Sequence, residues 1–257
     1  MARLLPVLVL VLAVAACAGG SDNENTSPPP PPAATGSTET EAAPAPPPPP
    51  PPPAGERPGR ALTRFVRAAR AREYAGMWNL LSQPTQRRLG PSLERFRTGV
   101  GRGLARELGA FVPGRSRAFL DEPITSLFAV AAYGGRTRLG GAQPYATYAA
   151  AFRREGGVWR LELGGPVGLR PLGPDPGSVE DGAIQVAAEV ESVAPIVEGG
   201  MWLDGQAVPG RTAGLGATRM TMFGDARGRI PRGPHAVVAF ASTFADASAI
   251  AWTFAYR

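Results

Sequence analysis

The 257 residues carry 27 arginines, no lysine and 21 carboxylates, for a formal net charge of +6, with a single cysteine and a single histidine. One cysteine excludes an internal disulfide, and one histidine excludes a multi-histidine metal site. The basic charge comes entirely from arginine in a chain rich in Ala, Gly and Pro, the pattern of a G+C-rich genome, so an arginine by itself says little about binding.

The chain opens with Arg3, an apolar stretch over residues 4–14, and then Val14-Ala15-Ala16-Cys17. The stretch falls short of the roughly twenty apolar residues a membrane span needs and fits a signal peptide over residues 1–16. Small residues before a cysteine, directly after an apolar core, resemble the lipobox of bacterial lipoproteins. That resemblance implies cleavage after Ala16, diacylation of Cys17, and a protein held by lipid on the extracytoplasmic face of the cell membrane. Ala18 in place of an aspartate carries no inner-membrane retention signal, which leaves the outer membrane open in a host with two membranes. The alternative is an incidental leader cysteine before a conventional cleavage site.

Residues 17–59 have almost no apolar side chains beyond Ala and Pro and cannot build a core, so a disordered tether is expected. Residues 28–32 and 46–53 are all proline, favouring polyproline II at about 3.1 Å per residue. A semi-rigid spacer and a ligand for a proline-reading domain are the two readings. Asn25-Thr26-Ser27 fits a glycosylation acceptor pattern, read as chance in a bacterial tether.

Residues 60–167 form the first expected domain. Leu62, Phe65, Val66 and Ala69 recur at helical spacing, and Tyr74, Met77, Trp78 and Leu81 continue the apolar stripe up to Ser82-Gln83-Pro84. A third helix is expected from Pro91-Ser92 to Leu108. Phe128, Val130 and Ala132 then alternate with Leu127, Ala129 and Ala131. Gly134-Gly135 and Gly140-Gly141 are expected to bracket a turn. Residues 145–154 read as a strand, Glu155-Gly156-Gly157 as a tight turn and residues 158–163 as its partner. Helices followed by an antiparallel meander make an α+β domain. The helix pair around Phe65-Val66 and Tyr74-Ala75-Gly76-Met77-Trp78, Thr85-Gln86-Arg87-Arg88-Leu89, and the closing hairpin from Phe152 to Leu163 resemble the nuclear-transport-factor-2-like, or ketosteroid-isomerase-like, cone fold, with helices packed on a curved antiparallel sheet.

Residues 168–257 form the second expected domain, entered through a proline- and glycine-rich linker over residues 168–177. Ile184, Val186, Ala188 and Val190 alternate with polar or small residues, and Asp204-Gly205 is a strong hairpin signal. Leu203-Asp204-Gly205, Gly233-Pro234-His235-Ala236-Val237 and Trp252-Thr253-Phe254 resemble the hairpin, strand entry and closing strand of bacterial immunoglobulin-like domains. An all-β immunoglobulin-like sandwich is therefore expected. Residues 243–248 lack the Asp-x-x-Gly-Asn turn of that family, which argues against a calcium role there.

Charge is uneven: residues 56–165 hold 19 arginines against 8 carboxylates, residues 166–257 hold 7 against 9. Arg60, Arg64 and Arg67 share one face of the first helix. They offer either attraction to anionic lipid or wall polymer or a solvated face. Nucleic-acid binding is not expected, since no aromatic-basic recognition motif accompanies the charge. For catalysis, cone folds place acid/base groups in their cavity, and the candidates are Asp121, Glu122, Tyr74, Tyr133, Tyr145 and Tyr148. Asp121-Glu122-Pro123 reads better as a surface turn. Met77, Trp78, Leu81, Tyr133 and Tyr148 either line a cavity or fill a core. His235 is expected to brace the sandwich. No phosphate loop or cofactor motif is present: Gly99-Val100-Gly101-Arg102-Gly103 lacks the strand before it and the lysine after it. The sequence therefore points to a non-enzymatic, lipid-held envelope protein. Its cone domain would bind a ligand, an anionic polymer or an envelope protein, and its second domain would act as spacer or adhesion module.

Overall fold

The computed structural model describes residues 55–90, 92–138, 145–226 and 230–257. The expected lipobox at Cys17, the expected cleavage position at Ala16, the expected tether up to residue 54, Pro91 and Gly140-Gly141 lie outside them.

Helix α1 (Pro58–Ala71) starts with proline in its first turn, where the missing N–H costs nothing. Its face of Ala61, Leu62, Phe65, Val66, Ala68 and Ala69 is buried. It ends at Arg72, whose left-handed backbone (φ 56°) turns the N–H back onto the last carbonyls. Helices α2 (Tyr74–Asn79) and α3 (Gln83–Leu89) follow, and Ser82 caps α3 by accepting the Thr85 N–H at 3.2 Å. The single helix expected to Leu108 is two: α4 (Leu93–Thr98) and α5 (Val100–Gly109), broken at Gly99. At Gly101 a Cβ would lie 2.8 Å from the Phe96 ring and carbonyl. The glycine-rich stretch thus lets α5 fold back against α4 while Phe96, Ala105 and Leu108 stay in the core.

Strands β1 (Phe111–Pro123), β2 (Phe128–Thr137), β3 (Tyr145–Glu155) and β4 (Val158–Glu162) form an antiparallel meander in that order. Gly134-Gly135 do not bracket a turn but lie within β2. There Gly135 (φ 150°) faces an irregular stretch of β1, and a Cβ would sit 2.2 Å from the Arg115 carbonyl. Asp121-Glu122-Pro123 is likewise not a surface turn but the end of β1. Asp121 accepts the Gly59 N–H at 3.0 Å, satisfying a free donor at the start of α1, and Glu122 accepts the Trp202 indole N–H at 2.8 Å.

The rest is strand and loop: β5 (Gly168–Gly173), β6 (Val179–Glu180), β7 (Gln185–Glu191), β8 (Glu198–Leu203), β9 (Gln206–Ala207), β10 (Gly210–Ala213), β11 (Arg219–Asp225), β12 (Gly233–Ser242) and β13 (Ala247–Tyr256). They make two sheets, β10-β11-β7-β5 and β6-β13-β12-β8-β9, antiparallel except for the β13–β6 pair. The first part of the expected 168–177 linker is therefore strand β5, paired with β7. The fold is mixed, with mostly antiparallel sheets, none of them closed into a barrel.

Three cores stack these elements into four layers. Leu62, Phe65, Met77, Phe96 and Leu108 pack on one face of the meander through Ala129, Ala131, Tyr133, Phe152 and Leu161. The opposite face, with Val130, Ala132, Ala149 and Ala151, packs on Trp202, Val238 and Phe240 of the five-stranded sheet. The far face of that sheet, with Val237, Ala239, Trp252 and Phe254, closes on Val186, Val190, Met220 and Met222 of the four-stranded one. Strands β2 and β12 are thus covered on both faces, which is why they read as unbroken apolar runs. The described residues all belong to one compact unit, Pro50–Arg257.

A buried ionic cluster ties the outer elements together. Glu162 has no exposed side-chain surface, lies 2.9 Å from Arg88 and also pairs with Arg153. Arg88 reaches Asp246 at 3.0 Å, and Arg153 donates to the Ala245 carbonyl, so the cluster holds the β12–β13 loop against the meander.

Candidate anion-binding groove

Three separate segments deliver arginines to one groove. The exit of α1 carries Arg70 and Arg72, on a helix end that favours cations. Helix α5 carries Arg102 and Arg106, four residues apart and so on one face. Arg138 follows β2 and is fixed when its N–H donates to the Ala110 carbonyl at 2.8 Å. Together with Tyr74 and the backbone of Gly99, Gly103 and Gly109 they line a groove of about 990 Å³. The glycines keep its floor low: a Cβ at Gly103 would meet nothing, and one at Gly109 would come no closer than 4.0 Å to Arg70.

All five arginines are exposed, and among the described residues none has an ion pair or a side-chain hydrogen bond. By contrast Arg64, Arg88, Arg97, Arg153, Arg170 and Arg219 each face a carboxylate. Like charges four apart on a helix repel by a few tenths of a kcal/mol, a cost that a bound anion removes. Among the described residues no acid lines the groove. Glu107, the neighbour of Arg106, keeps an exposed side chain, yet loss of surrounding water pushes its carboxyl above the ordinary range, with Arg106 pulling the other way. Burial, and then the Glu107 charge, raises the Tyr148 phenol. Burial likewise raises Tyr133, against a smaller opposing effect of Arg70.

The sequence candidates are distributed otherwise. Met77 and Leu81 are buried in the core beneath the helices, Tyr133 is buried and donates to the Ser116 carbonyl, and Trp78 and Tyr148 pack beside them. These five fill the core and are not part of the groove. Arg60 and Arg67 are exposed on α1, but Arg64 pairs with Glu56 at 2.7 Å, so the three do not form the convergence of charge. Asp204 (φ 51°) and Gly205 (φ 83°) make the tight β8–β9 turn. Asp204 accepts the Ala236 N–H at 2.8 Å and sits 2.6 Å from His235 Nδ1, while His235 Nε2 lies 2.7 Å from the Pro231 carbonyl. His235 therefore braces the sandwich beside Phe254, and the Trp252 indole N–H donates to the Pro174 carbonyl at 2.8 Å. Gly233 (φ 129°) starts β12.

No protein-family model matches this sequence, and no curated protein matches it. The only local sequence signal of the groove is the Arg102/Arg106 pair, because Arg70, Arg72 and Arg138 reach it through the fold. Among the described residues no group of three or more His, Cys, Asp or Glu could hold a metal ion, and no helix is long and apolar enough to cross a membrane.

Proposed function

We propose that this chain is a binding protein of the cell envelope, lipid-anchored through Cys17 and without enzymatic activity, whose arginine groove holds an anionic ligand. The convergence of five exposed guanidiniums with no carboxylate partner among the described residues carries this reading. Guanidinium forks match phosphate and carboxylate oxygens in paired hydrogen bonds. We read the helical layer and meander as a nuclear-transport-factor-2-like cone domain, and the two remaining sheets as an immunoglobulin-like sandwich that spaces or presents it. The placement of Asp204, Gly205, Gly233, His235, Trp252 and Phe254 in one braced strand region supports the second resemblance. The resemblance of residues 14–17 to a lipobox and the proline-rich stretch after it support a location outside the cytoplasm.

The test is a thermal-shift titration of the full chain with pyrophosphate at low and high salt. The reading expects a saturable rise in melting temperature that shrinks as salt screens the charges. No shift at low salt contradicts it. Loss of fatty-acid labelling in Cys17→Ala supports the anchor, and undiminished labelling removes it.

A further inference from the structure

The arginine groove is not the only cationic cleft on the meander. A second cleft of about 750 Å³ is lined by Arg115, Arg117, Phe119, Tyr145 and Asp204, with the backbone of Gly134 and Gly135 as part of its wall. The two clefts abut the same ladder. The first ends at Ala110 and Arg138, joined by a backbone hydrogen bond, and the next rung pairs Phe111 with Thr137. The second begins at Gly114, and Ser116 in it donates to the Arg136 carbonyl at 3.0 Å and sits opposite Gly135. Phe111 and Ser116 face Thr137 and Gly135 across the β1 bulge, so the two clefts are separated by only two residues of β2, roughly 7 Å. Arg136, exposed on β2, stands between the two clefts.

Arg102, Arg106 and Arg138 line the first cleft, on the helix side of the meander, and Arg115 and Arg117 the second, on the side of Asp204 and Pro234, with Arg136 between them along β2. All six are exposed, and none has a carboxylate partner among the described residues. The one acid in the second cleft, Asp204, is turned to its own framework by the Ala236 N–H and His235. Tyr145, raised by burial first and then by Asp204, keeps its phenol proton and offers a neutral donor. A small anion is satisfied by two or three guanidiniums in the first groove and would leave the rest of this track without a partner.

We infer that the ligand of the groove is a linear polyphosphoryl chain that runs from the α5 arginines over Arg138 and Arg136 into the Arg115–Arg117 cleft. This rests on the anion-binding reading of the groove and adds to it the length and path of the ligand. A chain engaging both clefts gains avidity, because the second contact is made at high effective concentration. It also gives a salt dependence steeper than that of a short anion, since each neutralised phosphate releases condensed counterions.

The experiment titrates the full chain with tripolyphosphate and with long-chain inorganic polyphosphate, using wild type, Arg102→Gln/Arg106→Gln and Arg115→Gln/Arg117→Gln. All three proteins are first checked for the same melting temperature. Expected are at least about tenfold tighter binding of the long chain, beyond the statistical gain from its extra units, and loss of that gain in Arg115→Gln/Arg117→Gln with tripolyphosphate binding unchanged. Arg102→Gln/Arg106→Gln weakens both ligands. Equal affinity for both chain lengths, or a long-chain affinity untouched in Arg115→Gln/Arg117→Gln, overturns the extended path. In that case the groove reading still stands if Arg102→Gln/Arg106→Gln weakens tripolyphosphate, and it falls if tripolyphosphate does not bind at all. Binding to phosphatidylglycerol vesicles without binding to polyphosphate overturns the inference in favour of a lipid surface.

Discussion

Replacing Glu162 by glutamine removes the shared counter-charge of Arg88 and Arg153 while keeping the shape of the side chain. Glu162 is fully buried at its side chain, Arg153 is 14% exposed and Arg88 is 27% exposed. Removing one member of a buried ion pair costs about 3–5 kcal/mol, because the partner charge is left without compensation. Arg88 keeps Asp246 at 3.0 Å and some water, and glutamine can still accept from Thr85 Oγ1, so the loss falls at or just below the bottom of that range. The loss predicted for Glu162→Gln is therefore about 2–3 kcal/mol. For a folded unit of this size it lowers the melting temperature by roughly 5–10 °C. Urea unfolding followed by tryptophan fluorescence reads the change directly. The midpoint should fall with the slope unchanged. A loss below about 0.5 kcal/mol, the range of ordinary surface substitutions, would show that the cluster does not hold the β12–β13 loop against the meander.

Other substitutions probe the turn, a cap and the groove. Gly205→Ala puts a Cβ at φ 83° and 2.5 Å from the Phe119 carbonyl, so a stability loss of at least about 2 kcal/mol is expected in the same urea assay; a neutral result would mean that the β8–β9 turn does not press on β1. Ser82→Ala removes the cap of α3 and should cost about 1 kcal/mol, or somewhat more because the hydroxyl is buried against Thr85; calorimetric melting checks it. Glu107 is pushed above the ordinary carboxylate range, so it becomes neutral at a higher pH than a free glutamate and ceases to offset Arg106. Sulfate affinity should therefore rise as pH falls through that raised value, and Glu107→Gln should bind more tightly and lose that step; equal pH profiles for the two proteins would remove Glu107 from the account.

How far the sequence reaches can be read from particular elements. Helix α1 is plain in it, since Leu62, Phe65, Val66 and Ala69 repeat at the helical period and all are buried. The β3–β4 hairpin and the Asp204-Gly205 turn are equally plain, because glycine at a tight turn leaves few alternatives. The break between α4 and α5 is hidden, since Gly99, Gly101 and Gly103 weaken a helix without saying where it bends. Stacking of the meander on the five-stranded sheet is also hidden. An apolar run such as residues 128–133 says that two faces are covered, not by what, and here the second cover is Val238 and Phe240 from more than a hundred residues away. Pro171 and Gly173 read as linker residues, yet they occupy β5, an edge strand of the β10-β11-β7-β5 sheet, where a missing N–H is tolerated. The groove is the least legible part. Residues 70–72, 102–106 and 138 are distant in sequence, and in a chain whose every cation is arginine their abundance masks their convergence.

The measurement that tests the central claim most directly is isothermal calorimetry of pyrophosphate binding to wild type and Arg102→Gln/Arg106→Gln at low salt. The account predicts saturable binding to wild type, weakened at least about tenfold in the variant. Such a loss corresponds to two charge-assisted contacts at well under 1.5 kcal/mol each after screening. Equal affinity in the two proteins would contradict the assignment of the groove.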